Sequence, residues 1–504
     1  MMSSPTEETA LLADRPEHPE EACGVFGVYA PGEDVARLTY FGLHALQHRG
    51  QESAGIAVGD NETVTVIKNL GLVSRVFKES DLDSLTGNVA IGHTRYSTTG
   101  SSTSWENAQP HLSTIGRQVI ALAHNGNLVN TSELRDRLKG RGIRFRSTTD
   151  SEVIATLIGA FTQEHHHIRG GIRETMKLIS GAYAVVLVTE EALYAFRDPH
   201  GIRPLVIGRL PQSAEPLPGI DQDGSRGWVV ASETCALDIV GAEFVREIAP
   251  GESVKASADG LEFQQAVPAQ KSSLCMFEFV YFARPDSEML GCSLYEARRR
   301  MGEALAHEAP ADADFVIGVP DSGIPAATGF AHESGLPYGE GLAKNRYVGR
   351  TFISPSQTLR KQGIRLKLNP LKHAIAGKRL VVVDDSIVRG NTTRKLVAML
   401  KEAGATEVHM RITSPPVVWP CFYGIDTDTQ EQLIAAQHNV DAIRDHIGAD
   451  SLAYLSLDGM VSATGAPKED FCLACFDGAY PIEIPDSIRE GKLAHETCEV
   501  QGAV

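Results

Sequence analysis

The stretch that most narrows what this chain can fold into is Arg379–Leu396, RLVVVDDSIVRGNTTRKL. Leu380–Val383 is a short, continuous apolar run, the pattern of a parallel strand buried on both faces. Asp384 and Asp385 follow at once, then a turn rich in small and hydroxyl residues: Ser386, Gly390, Asn391, Thr392 and Thr393. Leu396, Val397, Leu400 and Ala403 then recur at helical spacing, and Gly404 supplies a stop. This order of strand, acidic pair, hydroxyl loop and helix predicts an open α/β sheet with a ligand site at the carboxyl ends of its strands. Backbone N–H groups at the helix start stabilise a phosphate. Carboxylates beside such a cradle suit sugar hydroxyls, or a divalent cation that bridges to further phosphates. For an acidic pair alone, a strand end with a solvated turn is the plainer reading.

A chain of 504 residues has room for about two or three domains. Its net charge of −17 argues against a general binder of nucleic acid or of anionic membranes. An anionic substrate therefore needs local basic residues. Lys344–Asn369 supplies them in Lys344, Arg346, Arg350, Arg360, Lys361, Arg365 and Lys367. The hydroxyls and glycine among them (Thr351, Ser354, Ser356, Thr358, Gly363) argue against a packed element. The segment reads as a lid that closes on a polyanion, with a basic solvated loop as the alternative. No apolar run approaches membrane-spanning length. Residues 1–22 are acidic and carry Pro5, Pro16 and Pro19, the composition of a disordered leader and not of a secretory signal. Eight cysteines are too sparse for a disulfide scaffold and point to a reducing, cytoplasmic setting.

The leader ends abruptly at Cys23, where the strand Gly24–Tyr29 begins. Were the leader removed, Cys23 would gain an α-amino group with a pKa of about 7.7–8.0, a general base beside its own thiol. A buried structural cysteine is the alternative. Further on, Leu43–Gly55 reads as a short helix running into a Gly-rich turn, and Ile91–Thr98 places Arg95 at a strand end. Ala123–Leu128 sets Asn125 and Gly126 where a backbone can approach a ligand, and Asp150 opens a helix. Gly181–Val188 and Ala192–Phe196 form an expected hairpin, Asp198–Leu205 turns into another strand, and Cys235 packs in a helix. Leu210–Gly227 is a surface insertion, and 257–273 is a polar connector.

Cys23-Gly24 and these separated segments together resemble the class II glutamine amidotransferases, an N-terminal-nucleophile fold of αββα layers. The resemblance implies that Cys23 attacks the glutamine side-chain amide and that Arg95 clamps the α-carboxylate. It further implies that Asp150 holds the α-ammonium and that Asn125 and Gly126 form the oxyanion hole. It also implies a cleaved propeptide, 1–22, before a domain of residues 23–256.

The Arg379–Leu396 stretch resembles the phosphoribosyl diphosphate (PRPP) signature of type I phosphoribosyltransferases, an α/β fold. The resemblance implies PRPP contacts from Asp384, Asp385, Ser386, Ile387, Val388, Arg389, Gly390, Asn391, Thr392, Thr393 and Lys344. A second strand and turn, Asp314–Gly323, resembles the family's pyrophosphate-side loop. Ser322, with Asp384 and Asp385, would then lie at one Mg²⁺ per subunit. Val408–Thr413 is a further strand, and Asp426–Gly448 is expected to be mostly helical, with an apolar stripe of Leu433, Ile434, Val440 and Ile443.

Cys472 and Cys475 form a CxxC, which zinc sites, redox pairs and iron–sulfur clusters all use. With Cys275 and Cys421 they resemble the iron–sulfur branch of the glutamine PRPP amidotransferases. That branch implies one [4Fe–4S] cluster per subunit on Cys275, Cys421, Cys472 and Cys475, stapling the C-terminal segment to a transferase domain of residues 274–485. Cys292 and Cys498 do not match, and 486–504 is a tail. The family implies that ammonia made from glutamine passes to PRPP, displacing pyrophosphate to give 5-phosphoribosylamine for purine synthesis. It also implies purine-nucleotide feedback and a homotetramer. Another class II amidotransferase and a PRPP-sensing regulator are the rival readings.

Overall fold

A computed structural model describes residues 23–96, 104–116, 118–211, 226–345, 367–425 and 429–489. The leader, residues 212–225 of the expected insertion, residues 346–366 of the expected lid and the tail beyond Arg489 lie outside the described residues. No helix among the described residues is long and apolar enough to cross a membrane.

In the first half, the strands are β1 (Gly24–Tyr29), β2 (Ser53–Gly59), β3 (Val64–Leu70), β4 (Val89–Arg95), β5 (His111–Ile115), β6 (Gln118–Leu128), β7 (Gly181–Val188), β8 (Leu193–Arg197), β9 (Val206–Leu210), β10 (Gly227–Ala231), β11 (Glu243–Glu247), β12 (Glu252–Ser257) and β13 (Gly260–Gln265). One sheet runs β11-β9-β10-β1-β4-β2-β3 and the other β13-β12-β8-β7-β6-β5. Strand alternation sorts the side chains by layer. Val25, Ile91, Ile207 and Val230 of one sheet meet Ala121, Ala123, Ala184, Val186 and Val254 of the other. On the opposite face of the first sheet, Phe26, Val28 and Ile56 pack with Val35 and Leu43 of the helix Val35–Ala45. On that of the second, Ile120, Leu122 and Leu187 pack with Ile154, Ile158 and Ile172 of the helices Asp150–His165 and Ile168–Leu178. The layering is the expected αββα.

Two local readings change. The helix expected from Leu43 begins at Val35, because the Asp34 side chain caps it by accepting from Arg37 N at 3.0 Å. Ser53–Gly55 then opens β2 instead of continuing a turn. Gly260–Gln265, placed in the connector, pairs along its length with β12 and extends the second sheet.

In the second half, Phe315–Gly318, Arg379–Asp384, Glu407–Ile412 and Ser451–Tyr454 form a parallel sheet in that order. Both faces are covered. Val316, Val381 and Val383 join one core, and Ile317, Leu380 and Val382 join another that includes Leu396 and Leu400 of the helix Asn391–Glu402. Asp426–Gly448 is less helical than its composition implies. Its described part is a 3₁₀ turn and two short helices, Ile434–Gln437 and Val440–Ile447. The break falls where Asn439 caps the last helix by accepting from Ala442 N, and Val440 faces solvent. The Asp486–Arg489 turn follows.

The halves are joined by charges taken wholly out of water. Arg49 bridges Glu233 and Glu278, and Arg203 Nη1 reaches Glu278 Oε1 at 3.3 Å. All four side chains have no exposed surface. His48 Nε2 adds a contact to Glu233 at 2.7 Å, and Glu233 also accepts from Ser287 Oγ at 2.8 Å and Arg284 N at 2.9 Å. Removing one partner of such a set leaves an uncompensated buried charge, at a cost of about 3–5 kcal/mol. Glu278→Gln should therefore lower the denaturant midpoint by a large margin, whereas removing the exposed Lys468–Asp458 pair should hardly move it. Equal shifts in equilibrium unfolding would contradict the assignment.

Candidate active sites

The first site lies at the ends of β1, β2 and β4. Register places Gly24 opposite Thr94 and Ser53 opposite Arg95, so Cys23 and Arg95 come to one sheet end. Cys23 is buried, and its Sγ donates to Tyr96 O at 3.2 Å. Burial pushes the thiol up to about 12, with Arg95 and Arg203 opposing and Glu52 and Asp150 adding to the shift. A thiol so placed needs an adjacent base before it can attack.

Arg95 is 2% exposed, with Glu52 at 3.9 Å, and burial lowers its pKa. Asp150 is the first residue of its helix, after the Thr149 cap. Its Oδ2 accepts from Leu128 N at 3.0 Å, which ties the helix start to the end of β6. Burial raises the Asp150 carboxyl, but His124 and the Leu128 N–H outweigh it and hold the group below its ordinary value.

Asn125 and Gly126 lie on β6. Asn125 is fully buried, yet neither its Oδ1 nor its Nδ2 has a hydrogen-bond partner among the described residues. A buried amide with both ends unpaired is costly unless a ligand completes it. Gly126 has φ 142°, and a Cβ there would sit 2.0 Å from Ala182 O. Only glycine fits.

Three buried histidines, His93, His111 and His124, also belong to this region. His93 Nε2 lies 3.1 Å from His124 O, and His111 Nε2 lies 2.8 Å from Thr149 Oγ1. Burial drives His93 down to about 3, so it is neutral at working pH. His93 lies within Ile91–Thr98 and His124 within Ala123–Leu128, but nothing local in the sequence marks either as buried.

The second site lies at the carboxyl ends of the parallel strands. Asp384, Asp385 and Ser386 are all buried. Ser322 Oγ donates to Asp385 Oδ1 and Ser386 Oγ to Asp385 Oδ2, each at 2.7 Å, while Asp385 N donates to Asp384 Oδ1 at 3.0 Å. Burial, then the charge of Asp385, pushes the Asp384 carboxyl well above its ordinary value. Ile387 and Val388 are buried and Arg389 is half-buried. Gly390, at φ 81°, precedes the helix, whose first turn is Asn391, Thr392 and Thr393. Lys344 Nζ donates to Asp321 Oδ2 at 2.5 Å, beside Ser322. Leu342–Lys344 pairs with Leu368–Pro370, which forms the base of the expected lid. The arginines and Lys361 of that lid lie outside the described residues.

The four cysteines also converge. Cys275 and Cys472 are register partners in a short parallel pairing, and the Cys421 and Cys475 thiols are hydrogen-bonded. Val418 N and Trp419 N both donate to Cys475 O, at 3.0 and 3.1 Å. Among the described residues no three of these sulfurs lie within 4.8 Å of one another. A single tetrahedral zinc would hold its sulfurs roughly 3.8 Å apart. Four thiolates are a ligand set that iron–sulfur clusters take. Cys292 stands aside with Arg300 Nη2 at 3.1 Å, and Cys498 lies outside the described residues.

The cysteine loop also touches the first half, which the sequence did not reveal. Cys275 N donates to Ile202 O at 3.1 Å, and Asn127 Nδ2 donates to Phe422 O at 2.9 Å. Arg203 Nε and Nη2 donate to Tyr423 O at 3.1 and 2.9 Å. One signal was available. Glu278 is a lone carboxylate inside the apolar run Leu274–Phe282, and a charge so placed requires a buried partner.

Comparison with known proteins agrees with this architecture. A glutamine amidotransferase domain family matches residues 93–215, and a phosphoribosyl transferase domain family matches residues 293–413. The amidophosphoribosyltransferase of Synechococcus elongatus is 57% identical, over 97% of this chain and 97% of its own. That of Mycobacterium tuberculosis is 55% identical over 94% and 89%, and that of Bacillus subtilis 47% over 92% and 95%. A solved structure described as glutamine PRPP amidotransferase from B. subtilis complexed with ADP and GMP aligns with a TM-score of 0.84 at 46% identity, covering 92% of this chain and 98% of that one. The second domain sets aside the other class II amidotransferases, and the nearly full-length likeness to enzymes sets aside a mere sensor. The chain belongs to the amidophosphoribosyltransferase family.

Proposed function

We propose that this enzyme divides its reaction between the two sites described, with Cys23 releasing ammonia from glutamine and the Asp384–Thr393 loop presenting PRPP to it. The observation that carries the first assignment is Asn125, buried with its amide unpaired among the described residues, while Cys23 lies within the field of Arg95 and Asp150. In this reading Arg95 forms a charge-assisted clamp on the α-carboxylate of glutamine and Asp150 accepts from its α-ammonium. The Cys23 α-amine, freed by loss of residues 1–22, takes the thiol proton. The thiolate forms a bond to the amide carbon, and the developing oxyanion accepts from Asn125 Nδ2 and Gly126 N–H. The proton then passes to the leaving nitrogen, ammonia departs, and water cleaves the thioester to glutamate.

At the second site the N–H groups of Asn391, Thr392 and Thr393 suit the 5′-phosphate, with Ser386–Gly390 shaping the cradle. Asp384 and Asp385 accept from ribose hydroxyls and favour the positive charge that grows on the ring as pyrophosphate leaves. The hard oxygens of Asp384, Asp385 and Ser322 fit Mg²⁺, which when bound would stabilise the leaving pyrophosphate. Lys344 adds a cation to the same edge. The lid segment would exclude water and complete the passage for ammonia to ribose C1, giving 5-phosphoribosylamine. The four thiols fit one [4Fe–4S] cluster, with a structural role. A cytoplasmic homotetramer under purine-nucleotide feedback completes the proposal. The last point is supported by the ADP and GMP named with the similar structure.

Replacing Asp384 and Asp385 together by Asn should abolish phosphoribosylamine formation while leaving basal glutamine hydrolysis at Cys23. Loss of neither activity would remove the loop from the active centre. Intact mass of active protein should lack Met1–Ala22, and a full-length active chain would refute the α-amine mechanism. The raised Asp384 pKa makes a third prediction. Between about pH 4 and its raised value the folded state binds the extra proton, so stability without ligand falls as pH rises. Asp384→Asn removes that slope. Its melting temperature should gain on the parent's from pH 4 to pH 8, and a constant difference would contradict the assignment.

A further inference from the structure

The loop Asp198–Leu205 has no part in the mechanism above, yet it is among the most constrained segments of the chain. Asp198 accepts from Tyr183 N, His200 N and Ile202 N at 3.3, 2.9 and 3.1 Å. Arg197 donates to Arg203 O and Gly201 O, each at 2.7 Å, and to Ile248 O at 2.8 Å. This bracing aims the fully buried Arg203 guanidinium out of the first half. There it holds Tyr423 O through two donors and pairs with Glu278.

What Arg203 holds lies directly on the oxyanion strand. Gly424 has φ 107°, and a Cβ built there would lie 3.0 Å from Gly126 C and 3.1 Å from Gly126 Cα. Asn127, the next residue, donates to Phe422 O. The transferase segment Phe422–Gly424 therefore forms the floor beneath Asn125–Gly126. It is fixed at one end by Asn127 and at its centre by Arg203.

We propose that Arg203 and Gly424 are positioning residues for glutamine hydrolysis: Arg203 seats the Phe422–Gly424 segment, and that segment sets where the oxyanion donors stand. The proposal rests on the reading of Asn125 and Gly126 as those donors. A misplacement of about 1 Å in a catalytic array costs about 10²-fold. Because Arg95 and Asp150 hold the other end of glutamine, the loss should fall on kcat and not on KM.

The test compares the parent enzyme, with its leader processed, against Gly424→Ala, Arg203→Lys and Asn125→Ala. Glutamine-dependent and ammonia-dependent phosphoribosylamine synthesis are measured for each. Arg203→Lys keeps the charge near Glu278 but cannot hold Tyr423 O with a planar fork. Gly424→Ala keeps the Arg203 side chain but sets a Cβ 3.0 Å from Gly126 C and 3.1 Å from Arg203 Nη2, which crowds the contact between the segment and the strand from the other side. Both should lose about 10- to 100-fold in glutamine-dependent kcat, with KM for glutamine within about twofold and ammonia-dependent synthesis retained. Glutamine-dependent kcat near the parent's in both variants, with Asn125→Ala strongly impaired, would overturn the positioning role alone. Full activity in Asn125→Ala would instead overturn the oxyanion reading beneath it. A parallel fall of both activities in Gly424→Ala and Arg203→Lys would also overturn the proposal, since the segment would then serve the fold and not the donors.

Discussion

The arrangement depends on a small set of buried charges. Arg49, Glu233, Glu278 and Arg203 sit at the seam with no water to screen them. In low dielectric each holds its partner strongly, and each is costly if left alone. Apolar packing would let the halves slide by a rotamer or a turn. Ion pairs with fixed donor geometry confine the seam to one register. Arg49 adjoins Gly50, which packs on the Arg95 backbone, and Glu278 follows the paired segment Leu274–Cys275. The seam therefore holds the Arg95 strand end and the cysteine segment against one frame.

At both sites the fold opposes the charged form of a buried group. Around Cys23 burial disfavours the thiolate, and Arg95 and Arg203 oppose that while Glu52 and Asp150 add to it. Around Asp384 it crowds two carboxyl groups in a buried space, which favours the protonated form of Asp384 in the absence of ligand.

Local signals carried far in the sequence. The Leu380–Val383 run, the acidic pair and the Leu396/Val397/Leu400 spacing form one uninterrupted motif, and the strand, loop and helix stand where that motif puts them. Cys23, Arg95, Asn125 and Asp150 each sit in a distinctive short segment, which is why the sequence singles them out as candidates. The seam was not legible. Arg49, Arg203 and Glu233 are single charges whose partners lie 229, 75 and 184 residues away in hydrogen-bonded pairs. No local pattern encodes such a meeting. The same holds for Gly424 against Gly126. At Asp426–Gly448 composition misled, because one capping residue, Asn439, outweighed an apolar stripe that its neighbour Val440 does not join. At Gly260–Gln265 polarity misled, since an edge strand with one solvated face needs few apolar residues.

The pairing of Leu274–Cys275 with Phe471–Cys472 has a consequence for how the chain is assembled. Its two strands are separated by the entire transferase sheet, so closing that loop brings little reward until the sheet exists. During synthesis Cys275 is made at the start of the second half, while Cys472 and Cys475 follow only after the transferase sheet. The thiols therefore meet late, on a scaffold already folded. A chain that ends short of Phe471 could build both sheets of its first half and still lack the thiols of Cys472 and Cys475.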